Sequence, residues 1–243
     1  MERVKTGIPG LDDLLNGGLP KGSITLLSGP SGSLKTLLSG QYIYRGVTDY
    51  NEPGVYITLE ERADGIRKAM SSFNMDFKKY EDERKITLLD MGDMRRKSLF
   101  QLDKSTPTFT SPMLMKALGD MSKNIKFNRL VIDSLSILGV LYDNPAVMRE
   151  DLFRLVEYIR DINCTSLLIS EVEERYKDTM VSRFGSEEFL CDGVILLGYT
   201  RTAGEFKRWV SVRKMRLSSH DSDMHKLRVT ESGVEVVAME KLY

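Results

Sequence analysis

The run Gly29-Pro30-Ser31-Gly32-Ser33-Leu34-Lys35-Thr36 constrains this chain more than any other. An apolar run, Ile24 to Leu27, precedes it, and a helical stretch opening with Leu37-Leu38 follows to about Arg45. A strand that hands over to a helix through glycine and serine turns successive backbone N–H groups toward one point, at a helix N-terminus whose dipole favours anions. In such a cradle Lys35 neutralises β- and γ-phosphates, and the Thr36 hydroxyl ligates Mg²⁺. The spacing is that of G-x-x-x-x-G-K-[ST], except that Leu34 stands where the second glycine belongs. Should that position demand φ > 0, a leucine distorts the cradle; at ordinary helical angles it only crowds it. A Gly/Ser turn also joins strands to helices with no ligand involved, so the rest of the chain has to be read alongside it.

Short β-rich apolar runs recur at Ile24 to Leu27, Val55 to Leu59, Ile86 to Leu89, Leu130 to Ile132, Ser166 to Ile169 and Val194 to Leu197. Runs of this length and kind predict strands buried on both faces. Helical patterns lie between them. The clearest spans Pro145 to Ile162, where Leu152, Leu155, Val156 and Ile159 share a face behind an Asn144-Pro145 start. The alternation predicts an α/β fold with a mostly parallel central sheet flanked by helices. After about Asp192 the pattern becomes consecutive strands, Lys207 to Arg216, Leu227 to Thr230 and Val234 to Val237, with Ser232-Gly233 as a hairpin turn. This end is expected to be an antiparallel extension. Gly92 to Pro112 has no clear periodicity and is expected to be exposed. No repeat or linker divides the chain, so residues 1–243 are expected to form one domain.

Lys plus Arg and Asp plus Glu number 35 each, so no overall field draws the protein toward nucleic acid or an anionic membrane. Cys164 and Cys191 lie in apolar surroundings without metal-ligand spacing, which fits a reducing cytoplasm. Met1 to Gly10 lacks a long apolar segment, and no stretch reaches the roughly 18 apolar residues that span a bilayer. A cytoplasmic protein without membrane insertion is the expectation.

Three strand ends supply candidate chemistry. Leu130-Val131-Ile132 delivers Asp133, a direct or indirect partner for Mg²⁺ beside Thr36; an Asp there also suits a turn or helix cap. Val55 to Leu59 delivers Glu60 and Glu61, suited to polarising a water that attacks a terminal phosphate, Glu60 ahead of Glu61. The same pair also suits the opening turn of a helix from Glu61 to Phe73. Ser170 and Glu171 end the strand that begins at Thr165, either as a phosphate sensor or as a solvated strand end.

The segment from Thr6 to Thr25 (TGIPGLDDLLNGGLPKGSIT) resembles the entry to RecA/RadA and especially KaiC-like ATPases. The likeness continues through Leu59-Glu60-Glu61, Val131-Ile132-Asp133-Ser134, Glu187-Glu188-Phe189, Asp192 to Leu196 and Val212 to Arg216, covering nearly the whole chain. The resemblance implies a RecA-like P-loop fold and ATP with Mg²⁺ as ligands. It also implies a homo-oligomeric ring, usually a hexamer, with nucleotide between subunits. The loop residues Gly29, Pro30, Ser31, Gly32, Ser33, Leu34, Lys35, Thr36 and the following Leu37 would bind nucleotide, with Thr36 and Asp133 at the metal. Lys214 and Arg216 match the family's K-x-R pair, which reaches a neighbour's γ-phosphate. His220 matches a histidine near the nucleotide, although the glycine usual after the arginine is here Leu217. Read without the resemblance, Arg213, Lys214 and Arg216 are an exposed basic strand, and His220 is a surface histidine. The clock protein of this family has two tandem ATPase domains, and this chain has length for one. Where its autokinase domain carries adjacent Ser and Thr acceptors, Glu188-Phe189 stand here, so self-phosphorylation is not expected.

The reading these features favour is a slow, regulatory ATPase whose state an unknown protein partner reads. A DNA recombinase or recombination mediator is the first alternative. Against it, the stretch from Glu171 to Glu188 sets six carboxylates against Arg175, Lys177 and Arg183 where a DNA loop should meet phosphate. A ring scaffold that binds ATP without hydrolysing it is the second, and Leu34 is the reason to keep it.

Overall fold

The computed structural model describes residues 1–93, 110–140, 142, 144–174, 180–202 and 205–241. Within them the strands are β1 (Arg3–Val4), β2 (Leu19–Pro20), β3 (Ile24–Gly29), β4 (Gly54–Thr58), β5 (Ile86–Asp90), β6 (Arg129–Asp133), β7 (Thr165–Glu171), β8 (Gly193–Thr202), β9 (Glu205–Met215), β10 (His225–Thr230) and β11 (Gly233–Lys241). The helices are α1 (Leu11–Leu14), α2 (Lys35–Tyr50), α3 (Ala63–Ser71), α4 (Phe77–Asp82), α5 (Ser111–Asn124), α6 (Pro145–Ile162) and α7 (Glu187–Leu190).

Nine strands make one sheet in the order β11-β10-β9-β8-β3-β7-β6-β4-β5. From β8 to β5 every pairing is parallel. From β8 to β11 every pairing is antiparallel. The sequence pattern predicts this division, and it follows from the connections: helices cross between the parallel strands, whereas connections of two, nine and two residues join the later ones. Because side chains alternate along a strand, β3 sends Leu27 into an apolar layer with Leu38, Tyr42 and Tyr56 of α2 and β4. It sends Leu26 into the opposite layer with Leu152, Leu155 and Ile159 of α6. The sheet is thus buried on both faces at β3, which fixes the loop after it.

Helix α6 follows its sequence signals closely. The Asn144 side chain accepts the Ala146 N–H, Pro145 occupies the first turn, and Asn163 at φ +60° ends the helix. Three expectations need correction. β5 is an edge strand with only Ile86 fully buried, because a single neighbour, β4, covers it. Helix α2 runs on to Tyr50 rather than stopping near Arg45. The helix expected from Glu61 starts at Ala63, whose N–H is accepted by Asp90 of β5 at 3.1 Å, so neither glutamate lies in that helix. The expected exposed segment from Gly92 to Pro112 falls mostly on 94–109, outside the described residues; at its far end Ser111 is buried and donates to Asp151 at 2.9 Å. No described helix is long and apolar enough to cross a membrane.

Candidate nucleotide site

The loop between β3 and α2 turns through two left-handed residues, Gly32 (φ +78°) and Leu34 (φ +76°). Leu34 therefore occupies the backbone region that a glycine takes freely and a branched side chain takes at a cost of about 1–2 kcal/mol. The cradle is nevertheless closed: Ser33 N–H donates to Pro30 O at 3.3 Å and Leu38 N–H donates to Leu34 O at 2.9 Å. The leucine side chain is half-buried against the α2 layer, which offsets part of the strain. Of the two sequence possibilities, the left-handed one holds.

Lys35 is 5% exposed, and its ammonium donates to Gly29 O and Pro30 O at 2.9 Å each, so it lies folded under the loop. Glu171, at the end of β7, reaches to 3.3 Å of the same nitrogen. Ser31 and Gly32 are exposed on the loop's outer side, and Ser33 is buried with its hydroxyl unpartnered. Gly29 must be small, since a Cβ there would lie 2.2 Å from Leu197 O. The Leu37 side chain is buried in the core beneath the loop, while its N–H lies in the first turn of α2, ahead of the bond from Leu38 N–H to Leu34 O.

Thr36 and Asp133 meet directly, the threonine hydroxyl donating to Asp133 Oδ2 at 3.0 Å. The Tyr56 hydroxyl donates to the same oxygen at 2.5 Å. Burial pushes the Asp133 carboxyl up to about 6; the two hydroxyls and Lys35 oppose the shift, and Glu61 adds to it. A carboxylate and a hydroxyl side by side form an all-oxygen donor set, which suits a hard divalent cation such as Mg²⁺, and such a cation favours the ionised carboxyl. Among the described residues no cluster of three or more His, Cys, Asp or Glu could hold a metal by itself. A magnesium ion here depends on phosphate oxygens as further ligands.

Glu60 accepts the Ser134 hydroxyl at 2.6 Å and, with Ser31, Ser136, Glu171 and Tyr199, lines a cavity of 370 Å³ beside the loop. Glu61 is tied through its backbone, its carbonyl accepting the Thr58 hydroxyl at 2.8 Å. Of the two carboxylates, Glu60 is the one that borders this cavity. Ser170 is fully buried; its hydroxyl donates to Glu187 at 3.0 Å and accepts the Arg183 N–H at 2.9 Å, which makes it part of a packed network.

Lys214 and Arg216 are not brought to the loop of their own chain. Register runs from Thr25 through Gly193 to Met215, so they stand level with the start of β3. The loop follows the other end of that strand, roughly 13 Å away at 3.3 Å per residue. Their heads turn further aside: Lys214 donates to Glu188 O (2.8 Å) and Cys191 O (2.7 Å), and Arg216 donates to Phe189 O (3.2 Å). Desolvation lowers the Lys214 pKa, with Arg216 adding to the effect. His220 lies in the turn past β9 on the same side, its Nδ1 3.4 Å from Ser218 O.

Two contacts at the site were not foreseen. Tyr56 reads in sequence as a core strand residue, and only pairing of β4 with β6 brings its hydroxyl to Asp133. Arg208 reads as a solvated strand cation, yet its Nε donates to Gly32 O at 3.2 Å across the β8–β9 hairpin.

Known proteins match this chain in sequence and in fold over nearly its full length. Residues 4–241 match the family described as "ATPase: KaiC". The chain is 33% identical to a UPF0273 protein of Methanocaldococcus jannaschii, covering 97% of this chain and 96% of that one. It is also 33% identical to the circadian clock oscillator protein KaiC of Synechococcus elongatus, covering 96% of this chain but 44% of the clock protein. The crystal structure of a KaiC-like protein from Pyrococcus horikoshii superposes with a TM-score of 0.84 at 36% identity, covering 97% of this chain and 98% of that one.

Proposed function

The chain belongs to the KaiC family of ATPases, and on that premise we propose that it binds MgATP on the loop 29–36 and hydrolyses it slowly between neighbouring copies of a ring, hexameric as the family resemblance implies. The observation that carries this reading is the position of Lys214 and Arg216, at the end of the sheet opposite their own loop. A cationic pair that cannot serve its own site suits a neighbour's, where it stabilises charge on the transferring phosphoryl group.

Within one copy, the backbone N–H groups of the loop hold the phosphates, and Lys35 leaves the Gly29 and Pro30 carbonyls for the β- and γ-phosphate oxygens. Thr36 and Asp133 would hold Mg²⁺, which would supply charge neutralisation on those oxygens. Glu60 takes the proton of the water that attacks the γ-phosphorus; the bond to the β-phosphate oxygen breaks and ADP leaves. Tyr56 orients the Asp133 carboxylate. Glu61 remains a second acceptor beside Glu60, and His220, like the K-x-R pair, faces a neighbour's nucleotide. Leu34 makes the reaction slow by straining the cradle. In the cell this amounts to a cytoplasmic regulatory ATPase whose nucleotide state a protein partner reads.

Steady-state phosphate release from MgATP, measured across protein concentration with Lys35→Ala as the blank, tests the reading. Specific activity should climb steeply as copies assemble. A flat, concentration-independent activity overturns the shared site. Tight ATP binding with no release above the blank overturns hydrolysis and leaves a nucleotide-gated scaffold, the role that the strained Leu34 favours.

A further inference from the structure

Asp192 sits where β3 begins and β9 ends, and it is bonded to both. Its N–H donates to Ile24 O at 2.8 Å, its Oδ2 accepts the Ile24 N–H at 3.0 Å, and its carbonyl accepts the Arg216 N–H at 2.8 Å. The same carboxylate also holds two guanidinium groups. Arg160 of α6 lies 3.0 Å from Oδ2 and 3.2 Å from Oδ1, and Arg216 Nη1 lies 3.5 Å from Oδ1. Arg160 donates in addition to Leu190 O at 3.1 Å, which braces the carboxylate against the α7 turn.

Capping Ile24 needs one carboxylate oxygen. The second oxygen is left to face Arg216, while Arg160 spans both; for the fold alone the Arg216 contact is worth little, because Arg216 is 50% exposed and solvent screens such a pair. Its value lies in aim. A free arginine side chain has much rotamer entropy, which has to be lost before its fork can meet phosphate oxygens. Two anchors, Asp192 and the Phe189 carbonyl, remove much of that freedom beforehand.

We propose that Asp192 is a positioning residue that orients Arg216 toward the nucleotide of the neighbouring copy. The inference rests on the shared-site reading above. Asp192→Asn separates the two roles of the carboxylate, because the amide oxygen still accepts the Ile24 N–H while the charge that holds both arginines is gone. The expected result is unchanged MgATP affinity with kcat lowered about 10- to 100-fold, the cost of a misplaced catalytic group. Mixing Asp192→Asn with Lys35→Ala copies should then restore turnover, since intact loops of the first receive well-aimed Arg216 from the second.

Full kcat in Asp192→Asn overturns the proposal, as does a loss that Lys35→Ala copies do not restore. Arg216→Ala in the same assay keeps the premise distinct: full turnover there sinks the shared site itself, whereas loss there with none in Asp192→Asn sinks only the role of Asp192. Should Asp192→Asn fail to bind MgATP, Arg160→Gln carries the test. It frees the brace and leaves every backbone bond of Asp192 in place, and a loss of at least about 3-fold, restored by the same mixing, is expected. Full kcat in that variant overturns the proposal.

Discussion

Leu34 shows what one residue decides in this site. At φ +76° it sits where the loop needs glycine, and the loop keeps its hydrogen bonds at the expense of backbone strain. Leu34→Gly relieves about 1–2 kcal/mol of that strain, while glycine's freedom in the unfolded chain costs about 0.5–1 kcal/mol. The melting temperature should therefore move little. Turnover should rise, because a relaxed cradle lets the N–H groups close on phosphate; a kcat that stays level or falls dismisses the leucine as the limiting feature. The sequence identifies the departure at this position but not its φ, which depends on the angle at which α2 leaves β3. Thr36 and Asp133 were legible because one opens the helix after the loop and the other ends a strand. Tyr56 and Arg208 were not, because a mid-strand tyrosine reads as core and a strand arginine as surface until the sheet order is known.

At the scale of elements, the β8–β9 hairpin joins the two halves of the proposed chemistry. One of its strands lies along β3, and the other carries Lys214 and ends just before Arg216. Gly198 in β8 lies under Trp209 of β9, where an added Cβ would fall 2.3 Å from the indole ring. Valine favours strands by propensity, a gain of well under 1 kcal/mol at most sites. Here the steric conflict outweighs it, at about 1–3 kcal/mol for forcing bulk into packed space. Gly198→Val should lower the melting temperature by several degrees, the usual consequence of such a loss in a chain of this size; an unchanged or higher value would mean the indole yields freely. The strands of the nine-stranded sheet and α6 were legible because apolar runs and caps are local signals, whereas the two-residue strands β1 and β2 carry no such run. The edge position of β5 and the start of α3 were not, since both depend on a neighbour: β4 covers β5 alone, and Asp90 sets the first turn of α3.

For the whole molecule, the direction of the sheet is the governing fact. Parallel strands place every loop that follows a strand at one end, so the phosphate cradle, Asp133 and Glu60 gather there. The antiparallel return of β9 carries Lys214 and Arg216 to the other end. On the function proposed above, a site assembled from both ends requires two copies, whatever the size of the closed assembly. This requirement has a quantitative signature. Copies carrying both Lys35→Ala and Arg216→Ala offer neither a working loop nor a working finger, so they contribute to no site. When wild-type copies form a fraction f of a freely exchanging mixture, a site is active only where a wild-type loop meets a wild-type neighbour. Total turnover then falls as the square of f, and turnover per wild-type copy falls in proportion to f. If each chain completed its own site, turnover per wild-type copy would stay constant across the mixture. Phosphate release at f of about one half separates the two cases by about 2-fold per wild-type copy, and constancy there would remove the shared site together with the role assigned to Lys214 and Arg216.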